Sequence, residues 1–572
     1  QAMPLHSSPM KLISRIHFLI ALFLTLQAQG KLKVPNLFCD HMILQQNTKN
    51  AIWGFAETGE KITVEASWGA RQTTIADRQG NWKVMLPTPT AGTGQHLLLK
   101  GTNTIKINNV AIGEVWLCMG QSNMGWALGN TFGAEQEAAR ANFPNLRIFK
   151  SSREHWHEPL VQSRDLLAKW QPCTPEVASN TSAVSYYFGR KLHEELEIPV
   201  GIIVQAYAGT PIEGWMPEDI QKSDPRTRAA MDNYKKLSRR FSKDDALKKF
   251  EDELAEYRTK IAAGQTMKNK VRQLAPPIIT KPAILGHQYP SHIYNAMVHP
   301  VRPYGIQGAI WYQGERNSKD VPQALNYRRQ LEQLINFYRS SWHHQSEGHV
   351  ADDFPFYFTQ LPSWNPPQVK PVESVESPWV VNREMMRMVA SKVPRTAMAV
   401  TIDTGDSIAL HPKNKKPIGI RHAYLALKDA YGKKIVATGP RFVSHSVQGN
   451  RIILEFDAIG SGMVSARQGQ LDTFAIAGKD RQWRWAKAEI RENTVILSAK
   501  EIKNPIAARY AWAMNPSRRN LLYNKEGIPA SPFRTDNWPL FDEKTDAPIT
   551  VYKPEKPAGY QPVDWRRPTM TQ

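Results

Sequence analysis

Between residue 31 and about residue 110, apolar and polar positions alternate in short runs: "NAIWGFA", "EKITVEASW", "RQTTIA", "NWKVMLP", "HLLLKG" and "NTIKINNVAIG". Gly, Asn and Pro punctuate the gaps. A period of two puts one face of each run against a core and the other in water, so the pattern predicts a small antiparallel β-sandwich over 31–110.

From about residue 111 the pattern changes. Continuous apolar runs such as "EVWLCMG", "VGIIVQAYAG", "IQGAIWYQGE", "FPFYFTQL" and "TAMAVTID" alternate with the amphipathic segments "SAVSYYFGRKLHEEL" and "YRRQLEQLINFYRSSW" and a helix over 417–431. Strands buried on both faces and separated by helices predict an α/β domain over 111–438, with a parallel sheet covered on both sides. A charged, helix-favouring stretch at about 219–275, bounded by Pro217 and by Pro276-Pro277, reads as a helical excursion from that domain. Short alternating runs return at "RFVSHSVQGNRIILEFDAIG" and in the segment that follows, predicting a C-terminal β-element over 439–545 with a tail at 546–572.

The first 30 residues follow another pattern. Lys11 and Arg15 precede an apolar run from Ile16 to Leu26, and Ala28-Gln29-Gly30 offers a small-residue cleavage site. This is the layout of a secretory signal starting at Met10, and the run is short for a membrane span. The expected location is therefore secreted or periplasmic, with no stable membrane span after cleavage and an uncleaved anchor as the alternative.

Composition narrows the partners. The 572 residues are 41% hydrophobic and 22% charged, with a formal net charge of +21. Such a charge raises nucleic acid or an acidic glycan as a partner. Much of it, however, lies in segments such as "NYKKLSRRFSKDDALKKF" (233–250), where interspersed acids suit a solvated helix face. No nucleic-acid partner is expected. Cys39, Cys118 and Cys173 are odd in number and lack metal-ligand spacing, which predicts buried free thiols or at most one bridge, with no metal and no cofactor.

Candidate chemistry gathers at the predicted strand ends, where open α/β sheets place their sites. "GEVWLCMGQSNMGWALG" carries Ser122 at the end of an apolar strand, with Gln121 and Asn123 beside it and no charge nearby. "QAYAGTPIEGW" ends a second strand in Ala208-Gly209-Thr210, where small residues let a backbone N–H approach an oxyanion. "IWYQGERNS" ends a third with Gln313, Glu315 and Asn317, whose amide can donate without adding charge. A serine nucleophile also needs a base. His411, after a strand and before the helix at 417–431, is better placed than His287, His292 and His299 in loop and strand contexts or His343, His344 and His349 in a polar surface loop.

Taken together, these blocks resemble the SGNH hydrolases, and within them the sialate O-acetylesterase family of carbohydrate esterases. The resemblance extends to "FCDHMILQQNTKNAIWGFAETGEKITV", "IYNAMVHPVRPYGIQGAIWYQGERN", "LHPKNKKPIGIR" and "NPIAARYAWAMNPSRRNLLYNKEGIPASPFRTDNW", spanning about residues 34–540. It implies a three-layer flavodoxin-like hydrolase domain. It also implies a secreted serine esterase that removes O-acetyl groups from sugars, with O-acetylated sialic acid as the leading substrate. By resemblance Ser122 is the nucleophile and His411 the base, and Ser122, Gly209 and Asn317 form the oxyanion hole; Gln121 and Gln313 are candidate shapers of the pocket. Two positions depart from the family pattern. Residues 408–410 are Ile-Ala-Leu where an orienting Asp is common, leaving Asp403 or Asp406 as a displaced acid, or a Ser-His dyad. Ala208 stands where a glycine is frequent. An acetylxylan or other polysaccharide deacetylase, and a glycan-binding relative with weakened catalysis, are the alternatives.

Overall fold

The computed structural model describes residues 31–539 apart from 165–166, 239–242, 263–285, 373–376, 468 and 517–518. The signal-like segment 1–30, residues 263–275 of the helical excursion and the tail 546–572 lie outside the described residues.

Six strands open the chain: β1 (Ile43–Gln45), β2 (Lys49–Phe55), β3 (Lys61–Ala66), β4 (Arg71–Ile75), β5 (Asn81–Pro87) and β6 (Gly92–Lys100). β2 and β5 pair antiparallel as a ribbon, while β4, β3 and β6 pair in that order and β6 joins the following strand. Ile52, Trp82 and Val84 from the ribbon share one core with Ile62, Val64 and Leu99 from the other set.

That following strand, β7 (Thr104–Gly120), explains how the first strands connect to the hydrolase region. Its first half alternates exposed and buried positions, and from Val110 onward every residue is buried. The sequence carries the same change, from "TIKINN" to "VAIGEVWLCMG". One continuous strand therefore forms the edge-paired partner of β6 and then the centre of a two-faced sheet, running unbroken through residue 110, where the punctuation suggests a boundary.

The central sheet adds β8 (Phe143–Lys150), β9 (Trp170–Cys173), β10 (Val200–Ala206), β11 (Gly308–Tyr312), β12 (Phe356–Thr359) and β13 (Thr396–Ala399) in the order β13-β12-β11-β7-β10-β8-β9. All of these pairings are parallel except β8 with β9, so the sheet is mixed. Without the edge pair β8–β9, the five remaining strands follow the doubly-wound order 2-1-3-4-5. Trp116 and Cys118 face one core, packed by α1 (Ala183–Leu196) and α4 (Lys416–Asp429). Leu117 and Met119 face the other, packed by α2 (Val321–Gln345) and α3 (Pro378–Lys392).

Several elements differ from the sequence reading. α3 has no signature in the sequence because its first turns bury Asn382, Arg383 and Glu384 alongside Val380, Val381 and Met385, so no polar stripe marks it. His343 and His344 sit in the last turn of α2 rather than in a loop. Tyr294–Val301, expected as loop and strand, winds into consecutive helical turns that carry His299. After residue 439 the chain returns to antiparallel strands, with Arg441–Gln448, Arg451–Asp457, Thr494–Ser498 and Lys487–Arg491 in one sheet. All three cysteines are free thiols. Among the described residues no helix is long and apolar enough to cross a membrane.

Gly120, the last residue of β7, has φ +148°, and a Cβ there would stand 2.1 Å from the Tyr312 carbonyl oxygen of β11. The neighbouring strand cannot retreat without breaking its register. Gly120→Ala is expected to lower unfolding free energy by about 2 kcal/mol or more in urea denaturation.

Candidate active site

In-register pairing aligns the C-terminal ends of three strands. Gly120 of β7 lies between Ala206 of β10 and Tyr312 of β11. Ser122, Gly209 and Asn317 follow these residues in turns, so the sheet delivers all three to the same edge.

The fourth member arrives on the loop between β13 and α4. His411 Nε2 lies 2.8 Å from Ser122 Oγ, across 289 residues of sequence. The Trp126 indole stacks on the imidazole at 4.9 Å with an interplanar angle of 15°, which fixes the plane of the ring. Burial, and then the Lys415 ammonium, push the His411 pKa down to about 4. The imidazole is therefore neutral at physiological pH and has a lone pair available for the serine proton.

The expected oxyanion donors follow the neighbouring strands β10 and β11 at the same edge of the sheet. Gly209 adopts a left-handed φ of +71°, and Ala208 is not among the positive-φ residues, so alanine is accommodated beside it. Asn317 is oriented by its neighbours: its Oδ1 accepts from Ile212 N–H and from Gln313 Nε2, each at 2.9 Å, and its Nδ2 donates to Glu213 Oε2 at 2.8 Å. Two donors on the oxygen leave the amide only one orientation, with a second Nδ2–H left over. Gln313 is wholly buried and also bonds the Thr210 carbonyl and Tyr327 hydroxyl, so its side chain supports Asn317. Gln121 is likewise buried, and its backbone N–H bonds the Tyr312 carbonyl at 3.0 Å.

The two candidate acids are occupied elsewhere. Asp403 accepts both Arg421 guanidinium nitrogens, at 2.7 and 2.6 Å, and the Tyr523 hydroxyl at 3.1 Å. Asp406 Oδ1 accepts the Ile408 and Ala409 N–H groups at 2.8 and 3.0 Å. The structure brings Ser122 and His411 into contact and sets Gly209 and Asn317 on turns at the same sheet edge, and among the described residues no carboxylate hydrogen-bonds His411. No cluster of His, Cys, Asp or Glu among the described residues is arranged to hold a metal ion.

Sequence reasoning missed Trp126, Lys415 and the group beside Gly209. A Cβ at position 209 would lie 3.7 Å from Gln288 Nε2 and 3.8 Å from His287 Nε2. His287 stacks on Tyr207, and Gln288 accepts a 2.6 Å hydrogen bond from Arg316. Burial, then Arg316 and Arg153, lower the His287 pKa. Lys415 had one legible signal: a cation at the N-terminus of a helix opposes the macrodipole and calls for a specific partner.

With the geometry in view, comparison with known proteins is direct. Residues 112–248 and 270–419 match the family described as carbohydrate esterase, sialic acid-specific acetylesterase. The chain belongs to this family. It is a carboxylic ester hydrolase of the sialate O-acetylesterase-like kind. Sialate O-acetylesterase of Mus musculus is 27% identical over 527 residues, covering 86% of this chain and 92% of the relative. That of Homo sapiens is 26% identical over 528 residues, covering 86% and 90%. A carbohydrate acetylesterase structure from Xanthomonas citri superposes with a TM-score of 0.72 at 30% identity, covering 89% of this chain and all of that one.

If His411 is the base it must be neutral in the free enzyme, and kcat/KM should then fall only when it takes up a proton. A pH profile with p-nitrophenyl acetate is expected to be flat from about pH 8 to pH 6 and to reach half its plateau near the His411 pKa of about 4. A half-point near the ordinary imidazole value of about 6.5 contradicts this reading.

Proposed function

We propose that the protein is a secreted or periplasmic serine esterase that removes O-acetyl groups from sugars, with O-acetylated sialic acid as its substrate. The observation that carries the reading is the 2.8 Å contact between Ser122 Oγ and His411 Nε2 at the end of the sheet. The extracellular placement rests on the signal-like pattern of residues 1–30. The same family reading takes the two sets of N-terminal strands as a β-sandwich beside a flavodoxin-like hydrolase domain.

In this mechanism Ser122 Oγ attacks the acetyl carbonyl carbon as His411 Nε2 takes its proton. The negative charge that develops on the carbonyl oxygen is met by the N–H groups of Ser122 and Gly209 and by Asn317 Nδ2. Collapse breaks the bond to the sugar oxygen, which leaves as a hydroxyl with the proton from His411. Water then gives a proton to His411 and attacks the acetyl-serine; acetate departs and the proton returns to Ser122. All three donors are neutral, so they favour the oxyanion without holding a ground-state anion in the hole.

The basic flank beside Gly209 supports an acidic sugar. Arg316, one residue before Asn317, and Arg153 both act on His287, next to the proposed hole. A guanidinium there can meet a sugar carboxylate with charge-assisted hydrogen bonds. Acetylated polysaccharide is the second reading, and the similar Xanthomonas citri protein is a carbohydrate acetylesterase, a class that spans both readings. The close Ser-His contact speaks against a relative that only binds glycans.

Acetate release by wild type, Ser122→Ala and His411→Ala tests the pair, with an expected loss of about four orders of magnitude or more for either variant. Equal rates for wild type and Ser122→Ala would remove the nucleophile. Arg316→Ala should raise KM for O-acetylated sialic acid about ten-fold while changing KM for acetylated xylan little. Equal effects on both substrates would favour the polysaccharide reading.

A further inference from the structure

Three loops that carry the site meet at one buried amide. Asn123, next to Ser122, is wholly inaccessible. Its Nδ2 donates to Glu315 Oε1 at 2.5 Å and to the Leu410 carbonyl at 3.2 Å, and its Oδ1 accepts from Lys415 Nζ at 2.5 Å. Leu410 immediately precedes His411, Lys415 lies four residues after it, and Glu315 is two residues before Asn317. One side chain on the serine turn therefore holds the histidine loop at two points and the Asn317 turn at a third.

The chemistry of this contact is directional. Lys415 is 1% exposed and Glu315 8% exposed, and the two form no direct ion pair, because the Asn123 amide lies between them. Its carbonyl end faces the cation and its NH2 end faces the carboxylate, the orientation that both charges favour. Burial lowers the Lys415 pKa to about 7 and raises that of Glu315, while the Tyr312 ring lies 5.3 Å from Lys415 Nζ. A lysine kept at such a desolvation cost, and at the unfavourable end of helix α4, points to a task beyond packing.

We propose that the Asn123–Lys415 clamp is the positioning device that holds His411 against Ser122, taking over the orienting task of the carboxylate that His411 lacks. The inference rests on Ser122 and His411 being the reacting pair. Trp126 fixes the plane of the imidazole, and the clamp fixes its reach. The substitution is partial, because an orienting carboxylate also favours the imidazolium formed during reaction, whereas a lysine cation disfavours it. Asn123 and Lys415 touch neither substrate nor reacting atoms and are positioning residues.

The test uses the full chain and p-nitrophenyl acetate, with folding followed by near-UV circular dichroism and Tm. Asn123→Ala and Lys415→Met are expected to lower kcat about 30-fold or more while KM stays within about three-fold. Lys415→Gln keeps a neutral donor for the Asn123 oxygen and should recover most of that loss. Asn123→Asp keeps the acceptor for Lys415 but loses the donor to Leu410 and should resemble Asn123→Ala. Among the described residues Lys415 is the one charged group acting on His411, and Glu315 and Tyr312 face Lys415 from the neighbouring turn and strand. Lys415→Met should therefore also move the acid limb of kcat/KM to higher pH, a change that loss of packing alone does not produce. Folded Lys415→Met and Asn123→Asp proteins with kcat within three-fold of wild type and an unmoved acid limb would overturn the clamp. Retained activity in Ser122→Ala would instead overturn the catalytic pair beneath it.

Discussion

The site depends on one contact, the hydrogen bond between Ser122 Oγ and His411 Nε2, and most of the sheet serves to make it possible. The two residues are 289 positions apart, so no local turn can set their distance. Pairing of Gly120 with both Ala206 and Tyr312 aligns three strand ends, and β12 and β13 carry the chain across the sheet to the histidine loop. A one-residue slip in any of these pairings would exchange the side chains that each strand sends to the two cores, so core packing and the site impose the same register.

The electrostatics of the site differ from those of a serine–histidine–carboxylate triad. A carboxylate beside a histidine raises its pKa and supports the charged ring, whereas here burial and a nearby ammonium both favour the neutral form. A base at this position would be available over a wide pH range, but an imidazolium formed in the proposed reaction would have less support. In the proposed mechanism the neutral oxyanion donors and the Trp126 stack act through geometry. Orientation and charge stabilisation, often supplied by one carboxylate, are separated in this fold.

Much of this was legible in the sequence. The change from alternation to a continuous apolar run within 104–120 marks the passage of β7 into a two-faced sheet, and apolar strands ending in Gly-Gln-Ser-Asn, Ala-Gly-Thr and Gln-Gly-Glu-Arg-Asn end at one edge of that sheet. What remained hidden depends on contacts between distant segments. α3 escaped because burial of its polar residues erased the amphipathic stripe. Asp403 was a plausible acid by distance along the chain, and only the tertiary structure shows Arg421 and Tyr523 occupying it, whereas Asp406 is engaged locally by the N–H groups of Ile408 and Ala409. The Gln313 side chain turns inward and bonds Asn317, a contact that the spacing of the two residues does not reveal. Lys415 looked like one more charge in "HPKNKK", and its burial against Asn123 cannot be read from the spacing of residues.

The central claim is that His411 activates Ser122 as a nucleophile. Covalent trapping tests it most directly: the protein is incubated with diethyl p-nitrophenyl phosphate and the adduct is located by peptide mass spectrometry. The account predicts stoichiometric diethylphosphorylation of Ser122 in the wild type and a rate lower by several orders of magnitude in His411→Ala. An adduct on another residue, or equal labelling of Ser122 with and without His411, would contradict it.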